Sequence, residues 1–569
     1  MKKLINEVAH VVPDMLAGLA ALHPQLALLE DKNIVLRTDA REAAAQGQVA
    51  LISGGGSGHE PAHGGYVGRG MLSAAVAGEV FTSPSTDAVL DAIRAVAGPA
   101  GVLLIVKNYT GDRLNFGLAA EIARAEGIAV DMVVVADDVA LSANGDHAGR
   151  RGLAGTVLVH KIAGAAAAGG ATLAQVAQAA RDAAAALGTM GVALTPCTVP
   201  AAGKPGFTLS EGEIEWGLGI HGEAGVERGQ LVTAGDAVER LLLQITDDLK
   251  LQAGERVALL VNNLGGTPAS ELDIVAGAAL TLLTTRGIKV ERAWAGTFLS
   301  ALEMAGISLT LLRVDEQRLA LLDAATQAPA WPAGSGRIAT DAQASLQAVA
   351  AAPATARGAT LSPASPLARA IDAVCACLQQ AEARLTDMDQ QVGDGDLGIS
   401  MTRAAQGIRE NMPGWPSERD PAAVLRAMSA TVRRVVGGTS GPLYAILLMR
   451  GAAALEQHGA DAHAWAAALR EAVNGVMQLG GAKPGDRTMV DALLPAADAL
   501  QQALASGADV DKALAAAATA AEQGTAATAA MTPRRGRSSY IGQRALGHPD
   551  PGAHAVALWL AALRDVLKS

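Results

Sequence analysis

From residue 1 to about 335, short β-branched or aliphatic runs alternate with glycine-rich turns and with alanine-rich stretches of helical period. This alternation predicts an α/β domain with a mainly parallel sheet. Runs at 49–52, 102–106 and 129–135 predict strands, and each feeds a polar turn: SGGGSGHEPAHGG, KNYTGD and ADD. A second α/β segment begins near Val199, with strands predicted at 256–261, 289–294 and 308–314. Residues 349–366, VAAAPATARGATLSPASP, lose apolar periodicity and read as a linker. Beyond it every periodic segment is helical, with apolar faces marked by Leu367, Ile371, Val374 and Leu378, by Trp465, Leu469, Val473 and Val476, and by Val490, Leu493 and Ala497. The predicted organisation is an α/β domain at 1–335, with subdomains at about 1–195 and 196–335, a linker at 336–366, and an all-helical domain at 367–569.

Composition changes this picture little. The chain has 569 residues, half of them hydrophobic, and a net charge of -11. Outside Arg534, Arg535 and Arg537 the basic residues do not cluster, which argues against nucleic acid or an anionic membrane as partner. Three cysteines, Cys197, Cys375 and Cys377, match neither a disulfide framework nor a zinc pattern, so a reduced, cytoplasmic setting is expected. No apolar run is long enough to span a bilayer, and the MKKLINEVAH start lacks a signal-peptide core.

The candidate chemistry lies in the turns. Residues 385–401, LTDMDQQVGDGDLGISM, bring Asp389, Asp394 and Asp396 within a few positions, with Gly393, Gly395 and Gly398 among them. Three converging carboxylates suit a hard cation such as Mg²⁺, shared with substrate phosphates. An EF-hand loop is excluded, because counting from Asp394 puts Gly398 fifth and Ala405 twelfth, and counting from Asp387 puts Val392 where glycine is required. A plain Asp/Gly turn stays open on spacing alone.

In the first half, the turn at 53–65 carries Gly56, Ser57, Gly58, His59, Glu60 and His63, either a tight turn or a ligand loop. Lys107 and Asp112 follow a buried strand, where a donor and a base would share one crevice. His160 sits within an apolar run and reads as structural. In WGLGIHGEAG, glycines flank His221 and leave its imidazole approachable. The helical half adds polar glycine loops at 436–444, 479–493, 534–542 and 547–553, suited to a polyphosphate at helix N-termini. No Walker A sequence is present.

Together these motifs, GGGSGHEPAHGG, NYTGD, RRGLAGT, GLGIHGEAG, NNLGG, PAWP, LTDMDQQVGDGDLG, GGTSGP, GGAKPGDRTMVDAL, GRSSYIG and DPGA, resemble the ATP-dependent dihydroxyacetone kinases over nearly the whole chain and in the family's order. The resemblance implies that the first half binds dihydroxyacetone and that the second is an eight-helix barrel holding ATP. It implies Mg²⁺, as two ions, on Asp389, Asp394 and Asp396. It puts nucleotide contacts on Leu397, Gly398, Ile399, Ser400, Ser440, Gly441, Gly480, Met489, Arg537, Asp550, Pro551 and Gly552. Substrate contacts fall on Gly56, Ser57, Gly58, His59, Lys107 and Asp112, and a covalent hemiaminal on His221. Asp112 is the expected general base, with His59 as its companion or alternate. Leu397 and Ile399 depart from the family's polar residues, which leaves that phosphate contact to backbone N–H groups. The implied activity is phosphorylation of dihydroxyacetone and glyceraldehyde by a cytoplasmic homodimer. Alternatives are a kinase for a four-carbon ketose such as erythrulose, a cyclising FAD-AMP lyase activity, or a regulatory binding module.

Overall fold

A computed structural model describes residues 2–30, 32–141, 149–338, 360–535, 537–540 and 542–568, apart from the side chains of Arg537 and Tyr540. The chain divides into two compact units, Met1–Ser345 and Leu346–Ser569. Most of the linker expected at 336–366 lies outside the described residues. Its last residues belong to the second unit, because Leu361 is buried and donates its N–H to Trp415 O.

The first unit holds two six-stranded sheets. One is built from β1 (Leu26–Leu28), β2 (Ile34–Arg37), β3 (Ala50–Ser57), β4 (Ala74–Val80), β5 (Val102–Lys107) and β6 (Val130–Val135), in the order β1-β2-β4-β3-β5-β6. The four strands β4-β3-β5-β6 are parallel and β1-β2-β4 antiparallel. The central strands are buried on both faces. Leu103 and Ile105 enter one core while Val102, Leu104 and Val106 enter the other, and this is why VLLIV reads as a continuous apolar run.

The second sheet comprises β7 (Leu187–Ala193), β8 (Glu213–Trp216), β9 (Glu227–Gln230), β10 (Arg256–Asn263), β11 (Lys289–Gly296) and β12 (Gly306–Arg313), in the order β11-β10-β12-β7-β8-β9. Only β10 and β11 pair in parallel here; the other neighbours are antiparallel. The expectation of a mainly parallel sheet is therefore met in the first sheet alone. This sheet also takes β7, which ends two residues before the expected subdomain boundary near 195. Helices Ala234–Asp248 and Ala269–Thr285 bury Leu241, Leu242, Ile245 and Leu283 against it, each worth roughly 1.5–3 kcal/mol of hydrophobic burial.

One sequence reading needs correction. The strand expected to stop at Ile52 runs on to Ser57, so SGGGS is strand and not loop. Parallel pairing with β4 continues through Gly54↔Val76, Gly55↔Ala77 and Gly56↔Gly78. Glycine suits this close approach, since a Cβ on Gly54 would lie 2.3 Å from Val76 O.

The second unit is helical throughout its described residues. Helices Pro366–Gln380 and Glu382–Val392 are separated by Ala381 alone, and seven more follow: Leu397–Asn411, Pro421–Val435, Ser440–His458, Ala462–Gly480, Val490–Ala505, Val510–Ala527 and Pro551–Val566. With the break at Ala381 taken as a bend in one helix, eight helices surround an apolar cavity of about 630 Å³ lined by residues such as Ile371, Met401, Leu448 and Trp559. Side chains of Ser365, Asp420, Asp461, Asp509 and Asp550 cap five of these helices.

Candidate active sites in the two units

In the first unit, the carboxyl ends of β3 and β5 and two loops of the second sheet converge. His59 follows β3 and is fully buried. Its Nδ1 lies 2.9 Å from Ser300 O, a carbonyl that can only accept, so Nδ1 carries the proton and Nε2 keeps its lone pair. Nε2 is buried without a partner among the described residues. Phe81 stacks on this ring at 5.1 Å, holding a left-handed backbone (φ 60°) that is costly for an aromatic residue.

His221 lies in the β8–β9 connection, edge-on to three rings: His59 at 4.9 Å, Phe81 at 5.5 Å and Tyr109 at 4.4 Å. Its backbone N–H donates to Glu223 Oε2 at 2.8 Å. Arg151 reaches Glu223 Oε1 at 3.4 Å and also binds Asp138 Oδ2 and Gly217 O, which fastens the loop. Burial first, then the charges of Lys107 and Arg151, push the His221 imidazole down to about 3. It is therefore neutral across the physiological range.

Lys107 ends β5, and Asp112 sits in the first turn of helix Thr110–Ala125. Both are buried. A Cβ on Gly55 would stand 2.7 Å from Lys107 Nζ and 3.4 Å from Asp112 Oδ2, so the two charges flank this glycine. Burial lowers the Lys107 pKa against the pull of Asp112, and burial raises that of Asp112 against Lys107 and Ser83. Ser83 Oγ donates to Asp112 Oδ1 in a short hydrogen bond. Ser57 is buried with its hydroxyl on Gly78 O, so its side chain is committed to the sheet. Gly56 and Gly58 leave room for Phe81, whose atoms would meet a Cβ at 2.6 and 2.8 Å.

In the second unit, Asp389 projects from helix Glu382–Val392, and Asp394 and Asp396 occupy the following turn. Their carboxylate oxygens all lie within 4.8 Å of one another. Asp389 Oδ2 accepts from the N–H groups of Asp396 and Leu397 at 3.0 and 3.2 Å, so one carboxylate shapes the turn that presents the other two. Gly395 takes φ 75° in that turn, a conformation glycine adopts at little cost. Partial burial, then the Asp389 charge, raise the pKa of Asp396. Like charges gathered this closely fit an oxygen-liganded divalent cation.

The trio lines a cavity of about 250 Å³. Four helices begin at its wall, at Leu397, Ser440, Val490 and Pro551. The first three have no side chain of the N-cap residue bonded to their first turn, but Leu397 N–H is taken by Asp389 Oδ2 and Val490 N–H by Thr488 Oγ1, so the end at Ser440 is the one most open to an anion. Leu397, Ser400, Ser440, Gly480, Met489, Asp550, Pro551 and Gly552 line the cavity. Gly398, Ile399 and Gly441 do not. A Cβ on Gly398 would meet Glu382 O at 2.2 Å, one on Gly441 would meet Val436 O at 2.1 Å, and Ile399 faces outward with 48% exposure. These glycines serve helix packing. The Arg537 side chain lies outside the described residues.

Sequence reading missed Arg487, which also lines the cavity. It is fully buried, its Nη2 donates to His548 O at 2.9 Å, and its Nη1 lies 4.0 Å from Asp550 Oδ1. Nε and Nη1 have no hydrogen-bond partner among the described residues. Nothing in GDRTM distinguishes this arginine from a loop cation until the 545–548 turn closes over it.

Comparison with known proteins agrees with two joined parts. Residues 17–330 match the Dak1 domain and residues 391–565 the DAK2 domain. The chain is 47% identical to a Homo sapiens protein named triokinase/FMN cyclase, over all of both chains. It is 37% identical to a D-erythrulose kinase of Mycolicibacterium smegmatis, over 99% of this chain and 98% of that one. A crystal structure of the dihydroxyacetone kinase from C. freundii with AMP-PNP and Mg²⁺ superposes with a TM-score of 0.63 at 36% identity, covering 99% of each chain.

Proposed function

The chain belongs to the dihydroxyacetone kinase family of phosphotransferases acting on alcohol groups, and from that premise we propose that it phosphorylates dihydroxyacetone, and glyceraldehyde, with ATP. One observation carries the reading: a single chain pairs a buried neutral imidazole beside unsatisfied polar atoms with a carboxylate trio beside the uncapped helix N-terminus at Ser440. We assign the ketose to the unit built from 1–335 and ATP to the helical unit at 367–569, with 336–366 between them.

The His221 imidazole, neutral and only partly exposed, is a nucleophile for the ketone carbon. Addition forms a C–N bond, moves the carbonyl π pair onto oxygen, and passes the imidazole proton to that oxygen, giving a neutral hemiaminal. Lys107 donates to a substrate oxygen. Asp112, whose carboxylate is made more basic by burial, takes the proton of the terminal hydroxyl as it attacks phosphorus, and the bare Nε2 of His59 accepts a hydrogen bond from the same substrate. Gly56, Ser57 and Gly58 supply backbone contacts.

In the second unit, Asp389, Asp394 and Asp396 would hold Mg²⁺, as two ions, which neutralise phosphate charge when bound. Backbone N–H groups at Ser440 and Gly552 are assigned to the phosphates, Leu397 and Ser400 line the cavity with their own N–H groups already on Asp389 Oδ2 and Asp396 O, and Met489, Gly480 and Pro551 bound the nucleotide. Arg537 is assigned to the phosphates on the family resemblance alone. The same resemblance extends the reading to a homodimer in the cytoplasm. The names of the relatives favour two further activities of the same sites: phosphorylation of erythrulose, and cyclisation of a flavin nucleotide.

The test is a screen of dihydroxyacetone, glyceraldehyde, erythrulose and glycerol with MgATP, reading ADP release, and of FAD with Mn²⁺, reading cyclic FMN. Turnover of the carbonyl compounds without glycerol supports the reading. Efficient glycerol phosphorylation contradicts it, because glycerol offers no carbon for His221 to attack.

A further inference from the structure

Behind Lys107 lie two histidines that the proposed reaction does not use. Lys107 Nζ is 2.7 Å from His63 Nε2, its only hydrogen-bond partner among the described residues. His63 Nδ1 is in turn 3.0 Å from Nε2 of His160, which projects from helix Thr156–Ala168. All three side chains are buried. Ser53 Oγ also approaches His63 Nδ1, at 3.4 Å, but its own proton goes to Ile105 O at 2.7 Å, so toward His63 it can only accept. His160 Nδ1 has no partner among the described residues.

These contacts fix the protons. An ammonium only donates, so His63 Nε2 is bare and the His63 proton sits on Nδ1. Nδ1–H then donates to His160 Nε2, which leaves the His160 proton on Nδ1. Burial first, then the Lys107 charge, keep both imidazoles neutral, His160 down to about 3 and His63 well below its ordinary value. Apart from this pair, the ionisable groups around Lys107 are Asp112, His59 and His221.

We propose that His63 and His160 are positioning residues: one tautomeric chain, anchored on His160, points a bare nitrogen at the Lys107 ammonium and leaves its remaining N–H bonds for the ketose oxygen. The proposal rests on Lys107 touching substrate. It deepens that role by assigning the groups that aim it. Without an acceptor at 160, His63 Nδ1–H keeps only the longer 3.4 Å contact to Ser53 Oγ, so the proton moves more readily to Nε2 and confronts the ammonium with a second donor, which turns Lys107 away or strips its proton.

The experiment compares His160→Gln, whose amide oxygen can replace the accepting Nε2, with His160→Leu, which cannot accept. Leucine should raise KM for dihydroxyacetone about tenfold, the size of one hydrogen bond to a charged group. It should also move the alkaline limb of kcat/KM to lower pH, while glutamine stays close to wild type in both. A histidine that only fills space would give equal KM and pH profiles for the two variants, and that result overturns the proposal. ¹⁵N NMR of the unmodified enzyme gives a reading that does not depend on a variant folding. His63 should show Nδ1–H and a bare Nε2, and the opposite tautomer or a doubly protonated ring overturns the proposal. Lys107→Met separates the two levels, since an unchanged KM there removes the substrate role of Lys107 itself, whereas a large rise with indistinguishable His160 variants removes only the relay.

Discussion

On the proposed function, the two sites grip their reactants by opposite means. In the first unit the working groups are buried, with His59 and His221 kept neutral by dehydration among Phe81 and Tyr109 and with Lys107 and Asp112 set opposite in charge beside Gly55. In the second, Asp394 and Asp396 are exposed, and the uncapped helix end at Ser440 faces an open cavity. The contrast follows from the reactants. A small ketose carries no charge and few atoms, so hydrogen bonds alone hold it weakly and a reversible covalent bond adds both grip and selectivity. A polyphosphate carries its own charge, and preorganised dipoles and cations suffice.

If the labour is divided in this way, breaking the chain should break the reaction completely. Separate pieces ending and starting near residue 357 should each fold, since each unit has its own apolar cores. Neither should release ADP in the presence of dihydroxyacetone, and mixing should restore part of the activity. Phosphorylation by either piece alone would erase the comparison.

Next in size is the charge of the trio. Asp394→Asn or Asp396→Asn keeps volume and removes a ligand charge, which should lower turnover by about 10³-fold, the scale of several kcal/mol of lost phosphate neutralisation. Thermal unfolding should move little, because Asp389 holds the backbone N–H groups of Asp396 and Leu397 in this turn. Near wild-type turnover in both variants would remove the metal assignment.

How much of this could be read from the chain depended on sequence distance. The trio spans eight residues, so its convergence was legible from glycine and aspartate spacing. His221 was legible for a similar local reason, its flanking glycines. The proton state of His59 was not, because it depends on Ser300, 241 residues away. His160 read as structural because its partner His63 is 97 residues distant. The glycine run after Ile52 read as a turn because glycine is a poor strand former; pairing with β4, which continues through Gly56 after β5 has stopped at Ser53, overrides that preference. The antiparallel β7–β9 portion of the second sheet was missed because β8 and β9 are four residues each and β9 is mostly exposed, so no apolar alternation marks them.

A smaller effect sharpens the contrast through pH. Burial raises Asp550 to about 6 from the ordinary 3.8. An acid raised by folding contributes stability that is fully present below 3.8 and lost as pH climbs through about 6. Asp550→Asn keeps a side-chain cap for helix Pro551–Val566 and cannot ionise. Relative to that variant, metal- and nucleotide-free wild type should therefore lose stability between pH 4 and pH 7, by up to roughly 3 kcal/mol. Hydrogen exchange of that helix at the two pH values checks the sign; a wild type that gains on the variant as pH rises would show that Arg487 outweighs burial.

The central claim is that the first unit holds its substrate by a bond from His221. Dihydroxyacetone labelled with ¹³C at the central carbon reports this directly when added to the enzyme without nucleotide. The account predicts that the bound resonance leaves the ketone region for that of a tetrahedral carbon attached to oxygen and nitrogen, with coupling to ¹⁵N-labelled histidine, and that His221→Ala abolishes it. A bound signal that stays in the ketone region, or a tetrahedral signal that persists without His221, would contradict it.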